Sequence, residues 1–315
     1  MHTRETKRLM ALVDSLTTTQ RRELLQLLQA APQGEQVLRM LESRMDARRS
    51  CPQCQCDNVV RSGHADGLQR YKCRGCARTF NALSGTPLAR LRHKSKWLQQ
   101  ADVLCEGLII RLAAAQLQVA ASTAFRWRHR FLQLAQSAKA GSLRGVVEVD
   151  ETYELRSYKG QSVPLRAPRR RGGKASTRGM SKEHVPVLVA RDRSGATTDF
   201  VLHDANIVQV SSALQPVVAG DAIMCTDGSP MLASVAKVLH VAHEALNLSA
   251  GVRVRGPWHI QNVNAYHSRF KGWKHRFHGV ATSYLPSYLG WFRAIDRFRP
   301  TTGNVNRMLA LNIGV

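Results

Sequence analysis

The chain has 315 residues and a formal net charge of +24, from 46 Lys and Arg against 22 Asp and Glu. With 43% hydrophobic content it can bury a sizeable core, which excludes a disordered basic tail, and the field of its cations favours a polyanionic partner. No run approaches the roughly 20 apolar residues of a membrane span and MHTRETKRLM lacks a signal-peptide core, so we expect a soluble, cytoplasmic protein with no membrane partner.

Residues 1–48 read as a helical hairpin: in TTTQRRELLQLLQ and QVLRMLESRM, Leu recurs at helical spacing after a Thr that can cap the first helix. Residues 49–92 carry Cys51-x-x-Cys54 and Cys73-x-x-Cys76, two knuckles that can present four thiolates to one Zn²⁺. Two disulfides would need an oxidising compartment for which there is no targeting signal. Cys56 or His64 could replace a ligand at poorer spacing, and Cys105 and Cys225 read as core.

Residues 93–143 have an apolar period near 3.6, and QVAASTAFRWRHRFL reads as the second half of a helix-turn-helix: a short turn, a Ser/Thr cap, then a helix carrying Arg126, Arg128, His129 and Arg130. A solvated basic face on a packing helix is the competing reading.

Residues 144–300 open with three strand-like runs, RGVVEVDETYEL, HVPVLVARDR and TTDFVLHD, and then alternate helix and strand. That order suggests an α/β fold with a ribonuclease-H-like mixed sheet, in which the first and fourth strands adjoin and bring Asp150 beside Asp227. Two carboxylates there repel unless cations bridge them. In HIQNVNAYHSRFKGWKHRFH, Asn264 and Lys271 lie seven residues apart, about 20° from eclipsed on one helix face. Asn264 offers an oxygen to a hard cation and Lys271 a charge to a phosphate.

Strand alternation puts Glu148 on the face of Asp150, as an extra ligand or a rim charge, and Glu151 on the other. The acid-free loop bearing Arg169, Arg170, Arg171 and Lys174 suits DNA contact, as does Lys274 beyond Lys271. Trp258, Trp273 and Trp291 read as core, with Trp273 also able to stack on a flipped base. Residues 301–315 read as a C-terminal tail.

The module CPQC…YKCRGCARTFNALSGTPLARLR, the strand VVEVDETY, the segment TDGSP and the helix HIQNVNAYHSRFK together resemble bacterial insertion-sequence transposases of the DDE superfamily, in the zinc-ribbon group of the ISXO type. The resemblance implies a D-D-[N/E]-K set, which falls on Asp150, Asp227, Asn264 (after His259) and Lys271. It departs from most of the superfamily in carrying Asn264 where Glu is usual. The expected activity is metal-dependent strand cleavage and strand transfer, with Mg²⁺ or Mn²⁺ held by Asp150, Asp227 and Asn264 and a structural Zn²⁺ in the ribbon. The expected partner is double-stranded DNA, both transposon ends and target, bound by a homo-oligomer at the bacterial nucleoid. Two other readings stay open: a catalytically inactive DNA-binding regulator, with Asn264 a lost Glu, and a nuclease of the same fold. Either Glu148 or His267 could stand in as third ligand.

Overall fold

A computed structural model describes residues 13, 15–21, 33–47, 49–162, 167, 169, 173–177, 181–247 and 250–298. The expected tail at 301–315 and most of 1–32 lie outside the described residues, as do Arg170 and Arg171. The chain divides into two compact units, residues 1–99 and 100–315.

In the first unit, Thr17 and Gln20 form a reciprocal capping box: the Gln20 amide donates to Thr17 Oγ1 at 3.3 Å and the Thr17 amide to Gln20 Oε1 at 3.0 Å. Helix α1 (Gln33–Ala47) buries Val37 and Leu41. A three-stranded antiparallel sheet follows: β1 (Val59–Ala65), β2 (Leu68–Cys73) and β3 (Thr79–Phe80). Its hairpin turns on Asp66-Gly67, both at positive φ (51° and 77°), the conformation that an Asp-Gly turn supplies. Tyr71 and Phe80 pair across β2 and β3 with ring centroids 5.8 Å apart.

Most of α2 (Trp97–Glu106) belongs to the second unit, followed by α3 (Ile110–Leu117) and α4 (Ala121–Ser137). Between α3 and α4, Gln118 takes a left-handed conformation (φ 50°) and closes α3. A five-stranded sheet is built from β4 (Val146–Leu155), β5 (His184–Asp192), β6 (Thr197–Val201), β7 (Ile223–Thr226) and β8 (Ala242–Ala245), in the order β6-β5-β4-β7-β8. The first three strands pair antiparallel, and β7 and β8 join parallel to β4. This is the ribonuclease-H-like topology, with the first and fourth strands adjacent at its centre.

Helices α5 (Ile207–Leu214) and α6 (Pro230–Leu239) link the parallel strands and cover one face. There Val147, Val149, Leu188, Ala190 and Met224 pack with Val210, Leu214, Leu232 and Val235. Asn206 caps α5 by accepting from the Gln209 amide at 2.9 Å, and Pro230 opens α6 where no helical N–H is needed. A two-residue hairpin, β9 (Val254–Arg255) and β10 (Trp258–His259), leads into α7 (Gln261–His275), and α8 (Leu285–Phe298) closes the described chain.

Helices α4 and α8 touch at Gly290, where a Cβ would lie 2.5 Å from Ala135 O. Arg293 locks the same contact: its guanidinium donates to Ala135 O (2.9 Å), Gln136 O (3.1 Å) and Ala138 O (3.2 Å) at the end of α4 and pairs with buried Asp199. Trp273 and Trp291 are core, edge to face at 4.9 Å, whereas Trp258 is only half-buried in its small hairpin. Of the two cysteines read as core, Cys225 is buried and Cys105 half-buried.

Candidate active site

Between β4 and β7 the register runs Val146↔Ile223, Val147↔Met224, Glu148↔Cys225, a constant offset of 77 residues. Asp150 and Asp227 stand at the same offset two residues beyond the last of these pairs, Asp227 just past the end of β7. Both carboxylates are half-buried. Asp227 accepts from the Ser229 amide at 2.9 Å, which fixes its side chain in the turn before α6.

Helix α7 lies along β4 and runs with it. Glu148 meets Asn262 and Val263, Asp150 meets His267, and Glu154 meets Lys274. The six strand residues from Glu148 to Glu154 span about 20 Å and the twelve helical residues from Asn262 to Lys274 about 18 Å, so the two elements stay in step.

The start of this alignment is held by Glu148, which is fully buried. Its carboxylate accepts from the Val263 amide and from Asn262 Nδ2, each at 2.9 Å, and lies 2.6 Å from Arg193 Nη1. His259 approaches it at 3.4 Å. A carboxylate at a helix N-terminus satisfies amides that have no partner within the helix. Glu148 is thus an anchor of α7, engaged on both oxygens.

On α7 the residues Val263, Tyr266, His267, Phe270 and Trp273 are buried, while Asn264 and Lys271 are exposed. His267 stands between these two, within about 60° of each around the helix. Its Nδ1 lies 3.5 Å from Asp150 Oδ2, and its buried Nε2 has no hydrogen-bond partner among the described residues. Lys271 lines a cavity of about 1150 Å³.

Glu151 is a member of the site that alternation alone assigns to the opposite face. Burial raises its carboxyl to about 7, and the charges of Asp150 and then Asp227 add to the rise. Its Oε1 is buried without a hydrogen-bond partner among the described residues. Glu151 is still paired with Leu188 on β5 but lies beyond the last β4–β7 pair, Glu148↔Cys225, and pattern reasoning has no signal for where one edge of a strand loses its neighbour.

In the first unit, the sulfurs of Cys51, Cys54, Cys73 and Cys76 lie within 4.8 Å of one another. The Cys51–Cys76 and Cys54–Cys73 sulfur separations are 3.6 and 3.5 Å, close to the roughly 3.8 Å that tetrahedral Zn–S bonds imply and far beyond a disulfide. The Cys76 amide approaches Cys73 Sγ at 3.5 Å and is the largest influence lowering that thiol to about 6. These four thiols could hold a metal ion; among the described residues neither Cys56 nor His64 joins such a group.

Several expected DNA-contacting residues are otherwise engaged. Arg128 is buried, donates to Leu108 O and lies over the rings of Trp291 (4.9 Å) and Phe277 (5.8 Å), because α4 turns that side to α8 rather than to solvent. The N-cap of α4 is Ala120 without a side-chain bond, so the expected Ser/Thr cap does not form. Arg169 pairs with Glu183 at 3.2 Å and donates to Arg156 O at 2.7 Å; Lys274 pairs with Glu154. Arg126 and Lys174 are exposed, and Arg130 is half-buried.

Residues 142–293 match the ISXO2-like transposase domain. This segment is an insertion-sequence transposase domain of the DDE superfamily. Over 252 residues the chain is 29% identical to an uncharacterized protein in transposable element ISH50 of Halobacterium salinarum, covering 77% of this chain and 83% of that protein. Among solved structures it is similar to a pre-cleavage Mos1 transpososome (12% identity, TM-score 0.22) and to the Mos1 transposase paired-end complex with left transposon end (13%, TM-score 0.20). Each covers 71% of this chain and 80% of that one. At these scores the fold assignment rests on the chain's strand order. Among its described residues no helix is long and apolar enough to cross a membrane.

Proposed function

We propose that the chain binds the terminal repeats of its own element and catalyses cleavage and joining of DNA strands, with Asp150, Asp227 and Asn264 holding divalent cations. The observation that supports this reading is the parallel pairing of β4 with β7, two residues beyond which Asp150 and Asp227 follow at the same offset, together with a helix on which Asn264 and Lys271 are exposed. The donor set fits the group: carboxylate and amide oxygens suit Mg²⁺ or Mn²⁺, and bridging cations would relieve the charge repulsion that adds to the effect of burial in raising Glu151. Bound there, two cations would activate the attacking oxygen and stabilise the leaving one.

The chain's own residues supply the rest. Glu148, Arg193 and His259 hold the start of α7, and His267 orients the Asp150 carboxylate from its free side. Lys271 holds a phosphate near the scissile bond, a part suited to an exposed cation on the wall of a large cavity. The four-cysteine ribbon takes a structural Zn²⁺, and the protein acts as a homo-oligomer on paired ends.

Incubation of the purified chain with duplexes bearing the inverted repeats that flank its gene, with Mg²⁺ or with chelator, tests this. Metal-dependent nicking followed by joined products is expected. Binding without nicking would establish a regulator instead, and nicking without joining a nuclease.

A further inference from the structure

A second cavity, of about 720 Å³, lies in the catalytic unit between the start of α3, the first turns of α4, residues 159–161 and the segment 276–284. One wall is aromatic: His129 lies nearly parallel to Tyr284, centroids 3.9 Å apart, and Phe125 meets them edge-on at 4.5 and 5.5 Å. Phe125 is 39% exposed. Arg111, Lys159, Arg276 and His278 also line the cavity, and among the described residues no Asp or Glu does.

Both ring nitrogens of His129 are buried and have no hydrogen-bond partner among the described residues. Burial lowers its imidazole to about 4, with Arg128 adding to the effect, so the ring is neutral and offers one donor and one acceptor. An aromatic wall and a set of ionisable neighbours free of carboxylates are what a planar aromatic group on a polyanion requires. Lys159, Gly160, Gln161, His278, Gly279 and Val280 also line the larger cavity that contains Lys271, so the two spaces share a wall.

We propose that this cavity receives an unpaired nucleobase of the DNA end, seated against Tyr284 and Phe125, with its flanking phosphates held by Arg111 and Lys159. The proposal rests on the reading of the chain as acting on DNA ends, but not on its catalysing any step. A volume of this size is in the range of small-ligand sites, about 300–1,000 Å³, and accommodates a base with its sugar.

The test uses the full chain and a terminal-repeat duplex with a short single-stranded end carrying 2-aminopurine. Wild-type protein should quench the fluorescence of the unpaired 2-aminopurine. Tyr284→Ala and Phe125→Ala should abolish the quenching and weaken binding of the overhang at least about fivefold, as expected for loss of one stacked base, while binding of a blunt duplex stays unchanged. Tyr284→Phe should behave as wild type because the ring remains. Should either Ala variant fail to fold, Ser283→Trp, at an exposed position on the same cavity, should fill the space and remove the quenching.

Unchanged quenching in folded Tyr284→Ala or Ser283→Trp protein would overturn the proposal, as would its absence in wild-type protein that still cleaves. Quenching in Asp150→Ala protein, which should not cleave, separates base capture from catalysis. Quenching by a wild-type chain that never cleaves would keep the cavity and remove the catalytic reading.

Discussion

Glu148 is buried yet fully engaged by Arg193, Asn262 and the Val263 amide, so removing it leaves those groups without their partner. Glu148→Ala should destabilise the second unit by about 2–4 kcal/mol in denaturant melts. Asn264 and Lys271, which are exposed, should behave in the opposite way and leave stability unchanged. Asn264→Ala should nearly abolish nicking, while Asn264→Glu retains it by restoring a charged oxygen at the same place. His129, held neutral by burial, should give a pH signature. Its folded pKa of about 4 lies below the ordinary 6.5, so the unfolded chain binds the extra proton between these values and stability falls as pH drops through that window. His129→Phe should make the fall in Tm from pH 6.5 to 4 shallower, and an unaltered slope would show that the ring titrates freely.

Among the elements, the strands and helices of the five-stranded sheet were legible from their periodicity, and so was the adjacency of β4 and β7, because a three-strand meander followed by helix-linked strands has few right-handed solutions. The expectation that Asp150 lies beside Asp227 followed from that adjacency alone. The burial of Arg128 was not legible, since an Arg-rich helix looks the same whether its partner is DNA or, as here, Leu108, Phe277 and Trp291 from distant sequence. Arg293 and Gly290 share that limit: the backbone atoms they meet at the end of α4 are more than 150 residues away, and no local pattern reports them. Gly290→Ala should cost about 1–3 kcal/mol by forcing α4 from α8, read as a lowered unfolding midpoint. Glu148 and Lys274 were placed on the correct elements, but their ion partners come from other segments, so their roles as anchors emerged only from the three-dimensional arrangement.

For the whole molecule, the net charge of +24 should make affinity for DNA fall steeply with salt, and the contributing cations can be separated by their existing partners. Arg169, already paired with Glu183, should change the slope of log K against log salt little when replaced by Ala. Lys271→Ala should lower it by about one unit. Cys73→Ser should release the metal expected in the ribbon and unfold the first unit while the second keeps its melting transition. The central claim, that Asp150, Asp227 and Asn264 form one cation site, is tested most directly by titrating Mn²⁺ into the zinc-loaded chain and following free Mn²⁺ by electron paramagnetic resonance. Wild-type protein should bind Mn²⁺, Asp150→Ala and Asp227→Ala should each lose most of that binding, and Asn264→Ala should weaken it; binding of equal strength in all four proteins would contradict the account.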